Sequence, residues 1–519
     1  MTRSIRNPLE VHALCLSLAS TLALSGAAAA ADAPARVDDD PWFEDAQAAL
    51  AARLAVKPIT GPAKNAIIFL ADGMGPTTVT AARIFDGQSR GESGEENVLA
   101  FERLPHLALA KTYNTNAQTP DSAGTMSAIV TGVKTKIGVI SMTDAVAPGN
   151  CAASKGADAA TLVELAEQAG LATGVISTAR LTHATPAAVY AHAPDRNWER
   201  DTNLPAEAQA NGCRDIARQL IEFPYGDGLE VAMGGGRSHF LPVERADPEY
   251  PDTTGGRRDG RDLAAEWTAK SADHVVVHDR AGFDGLSDKA RVLGLFEPSH
   301  MQYEADRAGD RGGEPSLAEM TAKAIDIMSR QKAGYVLIVE GGRVDHAHHA
   351  GNAARALGDA KAFAEAVAVA IDKTSRKDTL IVATADHGHT LTIAGYPKRG
   401  NPILGLVEAP GGAAAEGEPV GADAKRYTTL GYANGPGSVL FGAAADGGRR
   451  EPTGDEAADL SYRQQAAIPM GSETHGGQDV AIYAGGPSAY LFDGTVEQNY
   501  IFHVVDHALR LRARRPNSR

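Results

Sequence analysis

The sequence predicts an α/β protein. Three short apolar runs lead to that class: Ala66–Leu70, Gly334–Val339 and Leu380–Thr384. Each is of strand length and rich in large aliphatic residues, which suits strands buried on both faces of a sheet. Helix-compatible stretches separate them. Each run also leads into a carboxylate, at Asp72, Glu340 and Asp386. An acid at the carboxyl end of a buried strand is well placed to hold a cation against a substrate. The bland alternative for Asp72 is a helix cap, because Thr77 and Thr78 also suit a helix start.

The 519 residues allow one large α/β domain with insertions, or two to three domains. A chain that is 43% apolar and 22% charged has ordinary globular composition. The net charge of −15 excludes capture of nucleic acid or an anionic membrane by bulk attraction. An anionic substrate would need local cations. Arg3 and Arg6 precede an apolar run from Ala13 to Leu24, and an alanine tract ends at Ala31. Residues 1–31 therefore read as a secretory signal peptide, too short in its apolar part to span a bilayer. The C-terminal RLRARRPNSR is polar, so no lipid-anchor tail is expected. Periplasmic or secreted location follows. Cys15 leaves with the signal, and Cys151 and Cys213 read as one disulfide or else as two buried thiols.

Taken in order, Asp38–Pro58 spaces Trp42, Phe43, Ala46, Leu50 and Leu54 as an amphipathic helix, for a neighbouring subunit or as a simple cover. A helix at Thr77–Phe85 and a strand at Leu107–Tyr113 come next. Pro120 bars a helix interior, so Ser122 would open a helix running to Val133. There backbone N–H groups favour an anion, and a serine is both a cap and a well-placed nucleophile. Helix Thr161–Gly170 and strand Ala172–Thr178 lead to His183 and Thr185, then to Arg196, whose fork could grip an oxyanion. Leu229–Met233, His274–His278 and Val292–Phe296 are further strands, with a polar insertion at 244–270. Helix Leu357–Asp372, strand Asp479–Tyr483 and helix Gln498–Leu511 complete the core. Residues 395–469 are rich in Gly, Pro and Ala with little periodicity and read as an inserted subdomain.

The densest cluster comes directly after the Gly334–Val339 run: Glu340, Asp345, His346, His348 and His349. Asp345 and His349 lie four apart, on one face of a helix. With Asp72, Asp386, His387 and His475 this is a carboxylate–imidazole set suited to zinc, with room for a harder third ion. Paired metals can clamp the attacking and leaving oxygens of a displacement at phosphorus, and would activate Ser122.

These residues carry a resemblance. From about Pro41 to Arg510 the chain resembles the alkaline phosphatases through IIFLADGMG, PDSAGT, THATPAAVYAH, DRNW, VEGGRVDHAHH, TADHGH and SETHGG, in that order. The resemblance implies a large, mostly parallel sheet flanked by helices on both faces, usually in a homodimer. The catalytic domain would span 32–394 and 470–519, with 395–469 as a crown-like insertion. It implies hydrolysis of phosphate monoesters through a phosphoseryl intermediate on Ser122. One zinc would take Asp345, His349 and His475. The other would take Asp72, Asp386 and His387, with Ser122 on its open position. Magnesium would take Asp72, Thr185 and Glu340. Arg196 would hold phosphate, oriented by Asp121. The enteric bacterial type has Asp and Lys where this chain has His183 and His346, so both histidines follow the animal-like pattern and line the substrate site. A calcium site is implied at Glu249, the Phe296 carbonyl and Glu297, with Glu314 where the family has Asp. The family's paired cysteines fall on Cys151 and Cys213. The rival readings are a phosphodiesterase or sulfatase of the same superfamily, and a periplasmic metal- or phosphate-binding protein without turnover.

Overall fold

A computed structural model describes residues 40–411, 419–440 and 448–514. The stretch read as a signal peptide lies outside the described residues. Two units are distinguished, 1–56 and 57–519. In the first, helix Pro41–Leu54 starts at Asp40, whose side chain accepts a hydrogen bond from Trp42 N at 2.9 Å; none of its residues is buried.

Among the described residues, the second unit has fifteen strands. In chain order they are β1 (Asn65–Ala71), β2 (His106–Lys111), β3 (Ala172–Arg180), β4 (Val231–Gly235), β5 (His274–Val277), β6 (Arg291–Leu295), β7 (Tyr335–Gly341), β8 (Thr379–Thr384), β9 (Gly388–His389), β10 (Leu391–Ile393), β11 (Leu430–Gly435), β12 (Ala466–Pro469), β13 (His475–Gly476), β14 (Val480–Gly485) and β15 (Thr495–Glu497). Ten of them form one sheet in the order β15-β2-β14-β8-β1-β7-β3-β4-β6-β5. From β8 to β5 every pairing is parallel, and β14 joins antiparallel to both β8 and β2. The three apolar runs are thus adjacent, with β1 between β7 and β8. All residues of β1, β7 and β8 are buried, as a parallel sheet covered on both faces requires. Helices such as Leu317–Met328 and Ala353–Lys373 cover it with an apolar stripe each.

Two small sheets complete the core. β10-β11-β12 draws on both the 395–469 segment and residues just before it. The β9–β13 ribbon pairs His389 with His475. The 395–469 segment therefore holds more regular structure than its composition suggested, including helix Gly454–Ala458 with a Thr453–Glu456 capping box. Helix ends moved by a few residues where caps decide them. Asn352, for example, accepts from Arg355 N and starts that long helix earlier than periodicity indicated.

Cys151 and Cys213 form a disulfide, with Cα atoms 6.1 Å apart. Cys151 is buried beside Trp198 and Ala208. The loop-entropy model gives a crosslink of this span about 4 kcal/mol. Reduction, or the Cys151→Ser/Cys213→Ser double variant, is expected to lower the unfolding midpoint in urea accordingly. An unchanged midpoint would show that the bond is not formed in the purified protein.

Candidate functional site

The order β8-β1-β7-β3 places four carboxyl ends side by side, and the site is assembled from residues at or just past those ends. Asp72 comes directly after β1, Glu340 sits near the end of β7, Asp386 and His387 come just after β8, and His183 comes just after β3. The turn after β1 needs Gly73: its φ is +74°, and a Cβ there would stand 2.4 Å from His389 Nε2. Helix Arg343–His349 brings Asp345 and His349, and the β9–β13 ribbon brings His475.

Asp345, His349 and His475 form one centre. His349 Nδ1 donates to the Glu473 carbonyl at 2.6 Å, and His475 Nδ1 donates to the Pro120 carbonyl at 2.7 Å. Those carbonyls fix the tautomers, so both Nε2 atoms carry lone pairs. The two Nε2 atoms lie 3.0 Å apart, and 3.3 and 3.4 Å from Asp345 Oδ1. Two lone pairs and a carboxylate converging on one point repel each other without a cation. This donor set fits zinc.

The second centre is Asp72, Asp386 and His387. His387 Nε2 stands 3.5 Å from Asp72 and 3.2 Å from Asp386, all fully buried, while Gly73 N and His387 N donate to Asp386 Oδ1. Burial, then the charges of Asp345, Asp386 and Glu340, push the Asp72 carboxyl well above the usual range. Burial likewise raises Asp386 and brings Glu340 up to about 8. So many buried acids call for cationic charge.

A third group joins Asp72 and Glu340 with His183. Glu340 Oε1, Thr185 Oγ1 and His183 Nδ1 are each buried without a hydrogen-bond partner among the described residues. The two oxygens fit a metal, whereas His183 Nδ1 carries the ring proton because Nε2 accepts from Arg196 Nη2. The sequence expectation placed Thr185 there and His183 on substrate; the structure puts His183 beside both the metal-type cluster and Arg196.

Ser122 opens helix Ser122–Thr131 behind the cap Asp121, which accepts from Gly124 N at 3.0 Å. Ser122 Oγ lies 3.2 Å from His387 Nε2 and 3.4 Å from Asp72 Oδ1. Asp121 also takes Arg196 Nη1 at 3.1 Å, and Arg196 Nη2 donates to His183 Nε2 at 3.2 Å. The His183 and His346 rings are 5.2 Å apart, so His346 lies one ring beyond.

Sequence reasoning missed His389 and Glu473. His389 Nε2 meets Asp345 Oδ1 at 2.8 Å, and its Nδ1 meets Glu473 Oε2 at 2.5 Å. Burial opposes charge on His389, but these hydrogen bonds prevail and push it up to about 9. Glu473 is held in turn by Thr390 N and Oγ1. The signal was the two-residue spacing of His387 and His389, which turns both toward one side of an extended chain. At the acidic cluster expected for calcium, Glu249 and Glu297 converge with Asp310, a residue sequence reasoning passed over. Glu314 is buried nearby, accepts from Gln302 N at 2.9 Å, and is raised by burial to about 8. Phe296 is fully buried. Glu249 is also paired with Arg237 at 2.9 Å.

A profile of the alkaline phosphatase family matches residues 63–511, which include every one of these groups. The chain belongs to the alkaline phosphatase family. A tissue-nonspecific alkaline phosphatase of Gallus gallus is 42% identical over 481 residues, covering 91% of this chain and 89% of its own. The alkaline phosphatase of Gadus morhua is 42% identical over 476 residues, covering 90% and 96%. Among solved structures, the alkaline phosphatase of Thermus thermophilus aligns with a TM-score of 0.60 at 26% identity, covering 88% of this chain and 94% of that one. The family match makes this chain an enzyme and accounts for the imidazole–carboxylate clusters, since alkaline phosphatases are metal-dependent. No described helix is long and apolar enough to cross a membrane.

Proposed function

We propose that this alkaline phosphatase is exported, works as a homodimer, and hydrolyses phosphate monoesters through a phosphoseryl intermediate on Ser122. The observation that carries the mechanism is the position of Ser122 Oγ. It sits at a helix amino end, between the second centre and the Asp121–Arg196 pair. Two zinc ions at the first and second centres and magnesium at the third would supply the charge that lowers the pKa of the serine hydroxyl and of the hydrolytic water, and would steady the leaving oxygen.

The chain's own groups divide the rest of the work. Ser122 Oγ attacks phosphorus and the ester oxygen leaves on the opposite side; water then attacks the phosphoserine and releases Ser122. Arg196 donates to the non-bridging oxygens. Asp121 holds that guanidinium in register, while also anchoring the helix that aims Ser122. The first centre is the open one: the His349 and His475 side chains are 31% and 14% exposed, against 0% for His387 and Asp386. The alcohol therefore leaves, and the water enters, by the first centre. The Glu249–Glu297–Asp310 cluster would take calcium. The residues 395–469 act as the crown-like insertion on the catalytic domain, and the N-terminal pattern together with the disulfide supports export.

The test is turnover of a matched set: 4-nitrophenyl phosphate, bis(4-nitrophenyl) phosphate and 4-nitrophenyl sulfate. The monoester should be preferred in kcat/KM by at least about 10³-fold, because only it offers the dianion that the guanidinium and metal pair neutralise together. Preference for the diester or sulfate would establish the rival reading, and no release from any would establish the binder. Arg196→Ala should raise KM more than it lowers kcat, with kcat/KM falling about 10²-fold. An unchanged KM would remove Arg196 from phosphate binding.

A further inference from the structure

Helix Arg343–His349 carries two ligands of the first centre, yet it is only seven residues long. A helix of under two turns has little stiffness of its own, so something else must hold Asp345 and His349 in place. The second of the three histidines of that helix, His348, is fully buried and ligates none of the three centres. Its ring spans two other elements. Nδ1 lies 2.7 Å from the hydroxyl of Tyr432 on β11, and Nε2 lies 3.0 Å from Thr78 Oγ1 in helix Pro76–Ser89. The ring also packs 4.7 Å from His389, which itself bonds Asp345. The phenol is the stronger donor, so Tyr432 O–H donates to Nδ1 and His348 Nε2–H donates to Thr78 Oγ1. Every polar atom of the imidazole is thereby satisfied in a dry site, where a hydrogen bond is strongest.

We propose that Tyr432 is a positioning residue for the first metal centre: through His348 it clamps the helix that bears Asp345 and His349. This rests on the reading of Asp345, His349 and His475 as a metal centre. Other contacts run the same way. Asn434, two residues further along β11, exchanges hydrogen bonds with Thr474, the neighbour of His475, at 2.9 and 3.0 Å. Gln464 N donates to the Gly351 carbonyl at 2.9 Å, and Ala353 N donates to Gln464 Oε1 at 2.7 Å, just beyond the short helix. Glu473 N donates to the His349 carbonyl at 2.9 Å. The 395–469 segment thus grips the first centre from both of its ligand-bearing strips, whereas Asp72, Asp386 and His387 hang from the main sheet. Tyr432 acts selectively on the metal that is least supported by the sheet.

The experiment is zinc release from the full, zinc-loaded chain to an excess of a colorimetric chelator. Release from wild type should resolve into two phases, one of which disappears in His349→Ala and so belongs to the first centre. Tyr432→Phe, which deletes only the hydroxyl, should speed that phase about tenfold or more and leave the other within twofold. An unchanged rate overturns the proposal, as does equal acceleration of both phases, which would mean general loosening. If Tyr432→Phe does not fold, Thr78→Val removes the other hydrogen bond of the same ring and is judged by the same criterion. A wild-type chain with no phase that depends on His349 would overturn the metal reading itself, and the positioning role with it.

Discussion

Ser122→Ala is expected to reduce phosphate release from 4-nitrophenyl phosphate by at least about 10³-fold while leaving bound zinc unchanged. The reasoning is local. The other buried hydroxyl on this turn, Thr125 Oγ1, is turned to the Asp121 carbonyl and to Asp386. It cannot replace Ser122 as nucleophile without leaving both. The fold should survive the substitution, because the cap is Asp121 and not Ser122, and Asp121 keeps its bonds to Gly124 N and Gly138 N. Zinc should stay, because the six other donors of the first and second centres are untouched. The residual rate would be that of water acting in the same charged pocket. Measuring phosphate release and metal content on one preparation separates the outcomes. Activity above about a tenth of wild type would remove Ser122 from the chemistry. Loss of zinc along with activity would show that the serine acts mainly as a ligand.

Asp72→Asn should have the second-largest effect and an opposite sign in two states. Asp72 belongs to both the second and the third cluster, so one substitution weakens two centres. The metal-loaded variant should lose about 10³-fold in activity, bind roughly one zinc fewer, and melt at a lower temperature than wild type. The metal-stripped variant should melt higher than stripped wild type. Burial and neighbouring carboxylates raise Asp72, and burial raises Asp386 and Glu340, the last to about 8. Groups raised in the folded state add stability below their unfolded pKa, and that stability is lost as pH climbs through the folded value. Stripped wild type should therefore weaken steadily toward alkaline pH, and Asn at position 72 removes one of the acids responsible. Melting curves with and without chelator at two pH values check this. A stripped variant that melts lower than stripped wild type would mean that the buried acids are not under the strain described.

Much of the site is legible in the sequence. Asp72, Glu340 and Asp386 stand out because each follows an apolar run, and a charge at a buried strand end is costly unless something pairs with it. His349 stands out through its four-residue spacing from Asp345. Arg196 is weaker, since a lone arginine looks the same in sequence whether it grips Asp121 or solvent. His183 can be placed near the substrate but not in the third cluster, because its ring sits between two functions and a motif records only its position. His389 and Asp310 are hidden for a related reason. His389 acts through Asp345 and Glu473, 44 and 84 positions away, and Asp310 faces Glu249 across a loop.

The chain by itself determined which residues could bear charge in the interior, and in what local geometry. Apolar periodicity and caps are short-range, so strand tips, the Ser122 helix start and the Asp345–His349 face came from neighbours a few residues apart. Tertiary structure alone decided the strand order that sets β8, β1, β7 and β3 side by side. It alone decided the carbonyls that select the His349 and His475 tautomers, and the grip of Tyr432 on His348. Those depend on contacts between segments far apart in sequence, whose energies exist only once the sheet has closed and excluded water.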